Sequence, residues 1–339
     1  MSTDRPSEDT WTPAPFLQPW WLPGPHAQTL AGKVLRAKQN LGMTAERIDT
    51  PDGDFLDLAW MPETDPAAPV VLVLHGLEGH TRRGYVIQMC VALAHRGMRP
   101  VALNFRGCSG EMNRTPRSYH SGETEDVALV VELLRGRFPE RPVFAVGFSL
   151  GGNILLKFLG EQSDQGSHPI HAAVAISVPY DLSAGATALE QGLMARFYTR
   201  YFVKSLMRKV HAKGTLLDNL LDLKALSEKM TIRAFDDVVT GPLHGFAGAE
   251  DYYRQCSSRE FVSSIQTPTL LLHSLNDPFL PSSAIPRERI ANNHDLTLII
   301  SRSGGHVGFV EGAVPWKASF WAEREAAGFL RHQYGHTIT

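Results

Sequence analysis

Along this chain, short runs with few or no polar residues alternate with longer stretches whose apolar positions recur every three or four residues. Val70-Val-Leu-Val-Leu74, Arg99-Pro-Val-Ala-Leu-Asn-Phe105, Val143-Phe-Ala-Val146, the segment from Ile170 to Val178, Thr267-Pro-Thr-Leu-Leu-Leu-His273 and Asp295-Leu-Thr-Leu-Ile-Ile300 are such runs. Runs of this length without polar alternation suit strands covered on both faces, as in a parallel sheet. Between them, residues 86–95 and 123–137 read as helices, Ile154 to Leu159 as the apolar start of another, and Trp316 to Gln333 as a closing helix. This order predicts βαβ units and an α/β fold, with a mostly parallel central sheet flanked by helices. Functional residues should then gather beyond the carboxyl ends of the strands.

Two segments depart from the alternation. Residues 45–61 place apolar residues alternately on both sides of Pro51-Asp52-Gly53, the signature of a hairpin around a tight turn. Residues 181–262 lose the strand pattern and become helix-rich, which predicts a helical cap inserted into the core. Within it Phe197, Tyr198, Tyr201, Phe202, Leu206 and Val210 form an apolar set, while Arg196, Arg200, Lys204 and Arg208 recur every fourth residue. The cationic row reads as the solvated face of an amphipathic cap helix, with a membrane-surface helix as the alternative. The expected division is a flexible arm at 1–15, a core at 16–180 and 263–339, and the cap at 181–262. Residues 19–29 hold prolines that prevent regular helix and tryptophans that need burial, so this stretch should pack across the core. His26 there could line a pocket or be a hydrogen-bonded structural histidine.

Composition narrows the function classes. The chain has 339 residues with 43% hydrophobic and 20% charged positions, an ordinary globular balance, and its formal net charge of -2 provides no global attraction to nucleic acid or anionic membrane. Cys90, Cys108 and Cys256 are too few and scattered for a disulfide framework or a four-ligand metal site. The polar, acidic start lacks a signal-peptide core, and no stretch reaches the roughly 18 apolar residues of a membrane span, so a cytoplasmic protein is expected. No H-E-x-x-H or phosphate-binding glycine loop occurs, and no cofactor or metal is expected.

Candidate chemistry centres on Gly147-Phe-Ser149-Leu-Gly151, placed between a strand run and a helical start. A nucleophile elbow holds its serine in a strained turn, and the flanking glycines let neighbouring backbone pass without Cβ clashes. A serine hydroxyl needs a base to take its proton and a third group to orient that base. Asp277, in Ser274-Leu-Asn-Asp277-Pro, and His306, in Ser303-Gly-Gly-His306, each follow a strand run, and the order Ser149, Asp277, His306 is that of α/β-hydrolases. His273 falls inside a strand, His244 and His294 lack a post-strand glycine setting, and Asp236, Asp237 and Asp251 lie in the cap. Two backbone N–H groups should form an oxyanion hole: Leu150, directly after the serine, and Leu77, in His75-Gly-Leu-Glu-Gly79 after the first parallel strand. His75 reads as structural. Glu78 is open between touching polar substrate atoms and capping a helix.

The sequence resembles the YheT-like group of α/β-hydrolases. The resemblance rests on Pro19-Trp-Trp-Leu-Pro23 with His26, Gln28 and Thr29, then His75 to Gly79, Asn104-Phe-Arg-Gly-Cys-Ser-Gly110, Tyr119-His-Ser-Gly-Glu-Thr-Glu-Asp126, Gly147 to Asn153, Phe235-Asp-Asp, Gly245-Phe246 and Asp251-Tyr-Tyr253. It implies a serine hydrolase with a helical cap acting on carboxylic esters, with short- to medium-chain acyl groups favoured. Some eukaryotic relatives carry an H-x-x-x-x-D acyltransferase motif, whereas His120 and Asp126 here have five residues between them, so His120 reads as a fold residue.

Three readings follow: hydrolysis of a small-molecule acyl ester, transfer of the same acyl group to an alcohol, or a hydrolase fold kept as a binding module. The intact Ser149, Asp277 and His306 set favours catalysis over binding alone, and the serine excludes reactions of this fold that need a carboxylate at the elbow.

Overall fold

The computed structural model describes residues 11–36 and 39–337. Helix α1 (Pro25–Leu35) starts on a proline, which fits the first turn because an N–H there has no intrahelical acceptor. The hairpin forms as expected: β1 (Thr44–Asp49) and β2 (Phe55–Trp60) pair antiparallel around the Pro51-Asp52-Gly53 turn. The run at 70–74 becomes β3 (Val70–Leu74), followed by α2 (Gly84–Ala94), β4 (Arg99–Asn104), α3 (Thr124–Arg137) and β5 (Val143–Phe148). Then come α4 (Leu150–Asp164) and β6 (Ala172–Ile176).

After β6 the chain makes no strand until residue 269. It forms α5 (Leu182–Ala188), the long α6 (Leu193–Lys213), α7 (Ile232–Phe235) running through a π-helical turn into α8 (Gly241–Leu243), and α9 (Ala249–Cys256). β7 (Thr269–Ser274), α10 (Arg287–Ala291) and β8 (Leu296–Ser301) complete the main sheet. Its eight strands run in the order β1-β2-β4-β3-β5-β6-β7-β8, parallel from β4 onward, with the hairpin strands antiparallel at one edge.

The wholly apolar sequence of β3 now has its cause. In β3, Leu72 and Leu74 face one layer with Val130 of α3 and Ile154 and Phe158 of α4, while Val71 and Val73 face the other with Val86 and Met89 of α2. Successive strand side chains point to opposite faces, so a sheet covered on both sides demands apolar residues at every position.

The stretch at 19–29 differs from expectation: α1 takes in residues 25–29, because Pro25 stands in the first turn where a proline is accommodated, and Trp20 stays 80% exposed. A boundary near the end of the chain differs too. The closing helix α11 (Trp321–Thr337) starts at Trp321 and not at Trp316, because Ser319–Phe320 (β10) pairs antiparallel with Val310–Glu311 (β9) and holds that stretch extended. Of the arm expected at 1–15, residues 1–10 lie outside the described residues. From residue 11 the chain is fastened to α11: Trp11 packs edge-on against Phe329, and the Trp321 indole N–H donates to the Ala14 carbonyl at 2.7 Å.

The Asn104–Gly110 block has a structural role. Arg106 grips Asp126 with two hydrogen bonds of 2.8 and 2.7 Å and also reaches Asp52 in the hairpin turn, so one buried guanidinium ties α3 to the sheet edge. Among the described residues, no helix is long and apolar enough to cross a membrane.

Candidate active site

Ser149 sits at the end of β5 with φ 51°, a left-handed conformation unfavourable for a residue with a Cβ, and α4 begins at the next residue. The turn is tight enough to exclude side chains nearby. A Cβ on Gly147 would lie 2.5 Å from the Gly151 carbonyl oxygen, and one on Gly151 would lie 2.5 Å from that of His75. The glycine spacing is thus a consequence of the elbow's close backbone passages.

The structure brings the three expected side chains together. His306 Nε2 lies 2.9 Å from Ser149 Oγ, and His306 Nδ1 lies 2.8 Å from Asp277 Oδ2. A carboxylate only accepts, so Nδ1 carries the proton and Nε2 presents its lone pair to the serine hydroxyl. Asp277 is fixed in turn, since its Oδ1 accepts from the Phe279 and Leu280 N–H groups at 2.8 and 3.2 Å. The Phe279 ring lies 4.4 Å from the imidazole, centre to centre, and covers it.

The loop carrying His306 is held by the proline-rich stretch near the start of the chain. The His306 N–H donates to Thr29 Oγ1 at 2.9 Å, and Gln28 exchanges two hydrogen bonds with the Val310 backbone, at 3.0 and 2.9 Å. His26 makes a 3.2 Å hydrogen bond with the Tyr198 hydroxyl and stacks on its ring, which bears out the structural option for it.

Leu77 and Leu150 both border the cavity at Ser149. Leu150 opens α4, where an N–H has no acceptor within the helix. The loop before Leu77 is anchored by His75, fully buried, whose Nδ1 donates to the Gly76 carbonyl at 2.8 Å and whose Nε2 accepts from the Phe105 N–H at 3.2 Å. Burial pushes the His75 pKa down to about 3, so it stays neutral.

Glu78 borders the cavity at Ser149, and its carboxylate is engaged by protein groups. Its φ is 53°, and its buried carboxylate accepts from Tyr119 (2.8 Å), Lys209 (2.7 Å) and Ser205 (2.5 Å). Tyr119 also accepts the Glu78 N–H, at 2.9 Å. Sequence reasoning missed Tyr119, Ser205, Lys209 and the Thr29 contact. Tyr119 and Thr29 appeared only inside resembling blocks, and nothing marked Lys209 apart from its cationic neighbours.

The competing candidates stand elsewhere. His273 is buried inside β7, where burial lowers its pKa to about 4, and His294 is exposed before β8. His120 packs against His244, Phe246 and Tyr252, while Asp126 is taken by Arg106. Asp237 accepts the Ala249 N–H at the start of α9, and Asp251 pairs with Arg254 at the surface. Asp236 lines the cavity wall but points to Tyr253 and Thr240, at 2.7 and 2.6 Å, and burial raises its pKa to about 6.

Above Ser149 lies a cavity of about 380 Å³, within the size range of small-molecule sites. Leu182 and Leu189 from the α5 region, Tyr198 and Phe202 from α6, Phe235 from α7 and Phe279 after β7 form much of its wall. The helices between β6 and β7 therefore give the cavity an apolar cover.

A family profile described as the α/β hydrolase fold matches residues 69–313. The chain is also 39% identical to "Putative esterase YheT" of Escherichia coli, over 90% of this chain and 89% of that protein. This chain belongs to the YheT-like α/β-hydrolases. It is 30% identical to human "Phospholipase ABHD3", over 94% of this α/β-hydrolase and 80% of that one. The Pyrococcus furiosus esterase Pf2001 shares the fold with a TM-score of 0.54 at 18% identity, over 87% of this chain and 88% of that one.

Proposed function

We propose that this α/β-hydrolase cleaves carboxylic esters of short- to medium-chain acyl groups through an acyl-enzyme on Ser149. One observation carries the reading: the hydrogen-bonded line from Ser149 Oγ through His306 to Asp277, with spans of 2.9 and 2.8 Å.

In this mechanism His306 Nε2 takes the serine proton as Oγ bonds to the ester carbonyl carbon, and Asp277 stabilises the imidazolium that forms. The Leu77 and Leu150 N–H groups receive the negative charge that develops on the carbonyl oxygen. Collapse breaks the bond to the alkoxy oxygen, which leaves with the proton held by His306. Water then gives a proton to His306 and attacks the acyl carbon, and Ser149 recovers its hydrogen as the acid departs. The apolar cavity wall suits the acyl chain, and the names of the Escherichia coli and human relatives agree with ester chemistry.

The test is a series of p-nitrophenyl esters of increasing acyl length, assayed with purified wild type and Ser149→Ala. A loss of roughly 10⁴-fold or more in kcat, with folding retained, is expected. Turnover that survives the substitution contradicts the reading. Ethyl ester formed above solvent competition when ethanol is added would move the assignment to acyl transfer.

A further inference from the structure

Two helices border the mouth of the cavity, and both leave large apolar side chains in solvent. On α6, Leu193, Phe197 and Tyr201 recur four residues apart and are 83%, 59% and 40% exposed. On α1, Leu30 and Val34 are 40% and 79% exposed. Leu30, Phe197 and Tyr201 also line the cavity, so the exposed apolar surface continues into it. The helices meet at this rim, where the Lys33 ammonium lies 4.4 Å from the centre of the Tyr201 ring. Single exposed hydrophobics need no explanation, but a set gathered around an opening marks a contact surface.

Charge decides what that surface fits. α6 carries Arg196, Arg200, Lys204, Arg208, Lys209 and Lys213 and has no Asp or Glu along its 21 residues, in a chain whose formal net charge is -2. Two of these cations serve the interior: Lys209 reaches Glu78, and Lys213 donates to the carbonyls of Thr115, Pro116 and Arg117. Arg196, Arg200 and Lys204 stay exposed, interleaved with Leu193, Phe197 and Tyr201. α1 adds Lys33 and likewise has no acid. Apolar side chains able to enter an acyl boundary, set among cations able to meet phosphate groups, are the makings of an interfacial helix. A second copy of the chain is a poorer occupant, because a two-fold contact would bring like charges together.

We propose that the face formed by α1 and α6 docks on an anionic phospholipid surface, with the cavity mouth turned toward the lipid. The interaction does not depend on turnover. It sets where the cavity opens, not what Ser149 does.

The experiment is co-sedimentation of the full chain with vesicles of phosphatidylcholine alone and of phosphatidylcholine mixed with phosphatidylserine, at low and high salt. Binding should require phosphatidylserine and weaken with salt. The Arg196→Glu/Arg200→Glu variant should bind about tenfold or more weakly, and Leu193→Ser should also reduce binding. None of these three residues lines the cavity, so hydrolysis of a soluble p-nitrophenyl ester should match wild type and report intact folding. Absence of binding to phosphatidylserine vesicles overturns the proposal, as does binding indifferent to charge reversal. Self-association lost in Leu193→Ser without vesicle binding would assign the face to a second copy instead.

Discussion

Lys209 of α6 donates to the Glu78 carboxylate at 2.7 Å, and Glu78 directly follows Leu77, one of the two proposed oxyanion donors. The helix that covers the cavity is thereby bonded to the loop that presents that donor. Tyr119 and Ser205 complete the carboxylate's partners, so the left-handed backbone at Glu78 is held from both core and cover.

Removing one end of this pair leaves a buried charge uncompensated. Lys209→Met should destabilise the protein by about 3 kcal/mol in urea unfolding. It should also lower kcat by about tenfold with little change in KM, because a displaced donor loses contact mainly with charge that develops in the transition state. Adding Glu78→Gln should restore part of the stability, so the double-mutant cycle reads out the coupling. Additive losses would show the pair to be independent.

Thr29 makes a second long-range support testable. Thr29→Val keeps the shape but removes the acceptor for the His306 N–H. About 1 kcal/mol of stability should be lost. Turnover should fall several-fold, as His306 loses the contact that fixes its distance to Ser149. An unchanged kcat would show that the loop holds its position without this contact.

The pH dependence of stability follows from His75. Its neutral form, protonated on Nδ1, satisfies both Gly76 and Phe105, and burial lowers its pKa from an ordinary 6.5 to about 3. Because the folded state binds the proton more weakly than the unfolded chain, stability is full above pH 6.5 and declines as pH falls toward 3. Over the step from pH 6.5 to 5 the loss from this residue should approach about 2 kcal/mol. Urea midpoints measured across that range should fall in wild type and fall less in His75→Gln. Some slope should remain, since burial also lowers the pKa of His244 and His273. An equal slope in the variant would remove His75 from the account.

The parallel strands were legible because burial on both faces leaves no polar position in β3 or β5, and Ser149, Asp277 and His306 stood out as candidates because each lies within a few residues of the end of a strand run, after β5, β7 and β8. The glycines at 147 and 151 were readable for a related reason, as the elbow leaves no room for a Cβ. What the sequence hid depends on contacts between distant segments. Ser205 and Lys209 meet Glu78 across 127 and 131 residues, and no local pattern distinguishes an inward lysine from the exposed Arg208 beside it. The true start of the last helix was masked similarly, because only pairing with Val310–Glu311 keeps Ser319 and Phe320 extended.

Labelling with a fluorophosphonate probe, followed by peptide mapping, tests the central assignment most directly. The probe reacts with a serine whose proton can be taken by a neighbouring base while an oxyanion hole receives the phosphoryl oxygen. One label per chain is expected on Ser149, with none in Ser149→Ala and at least a hundredfold slower labelling in His306→Ala. Folded wild-type protein that resists the probe, or carries the label on another serine, would contradict the account.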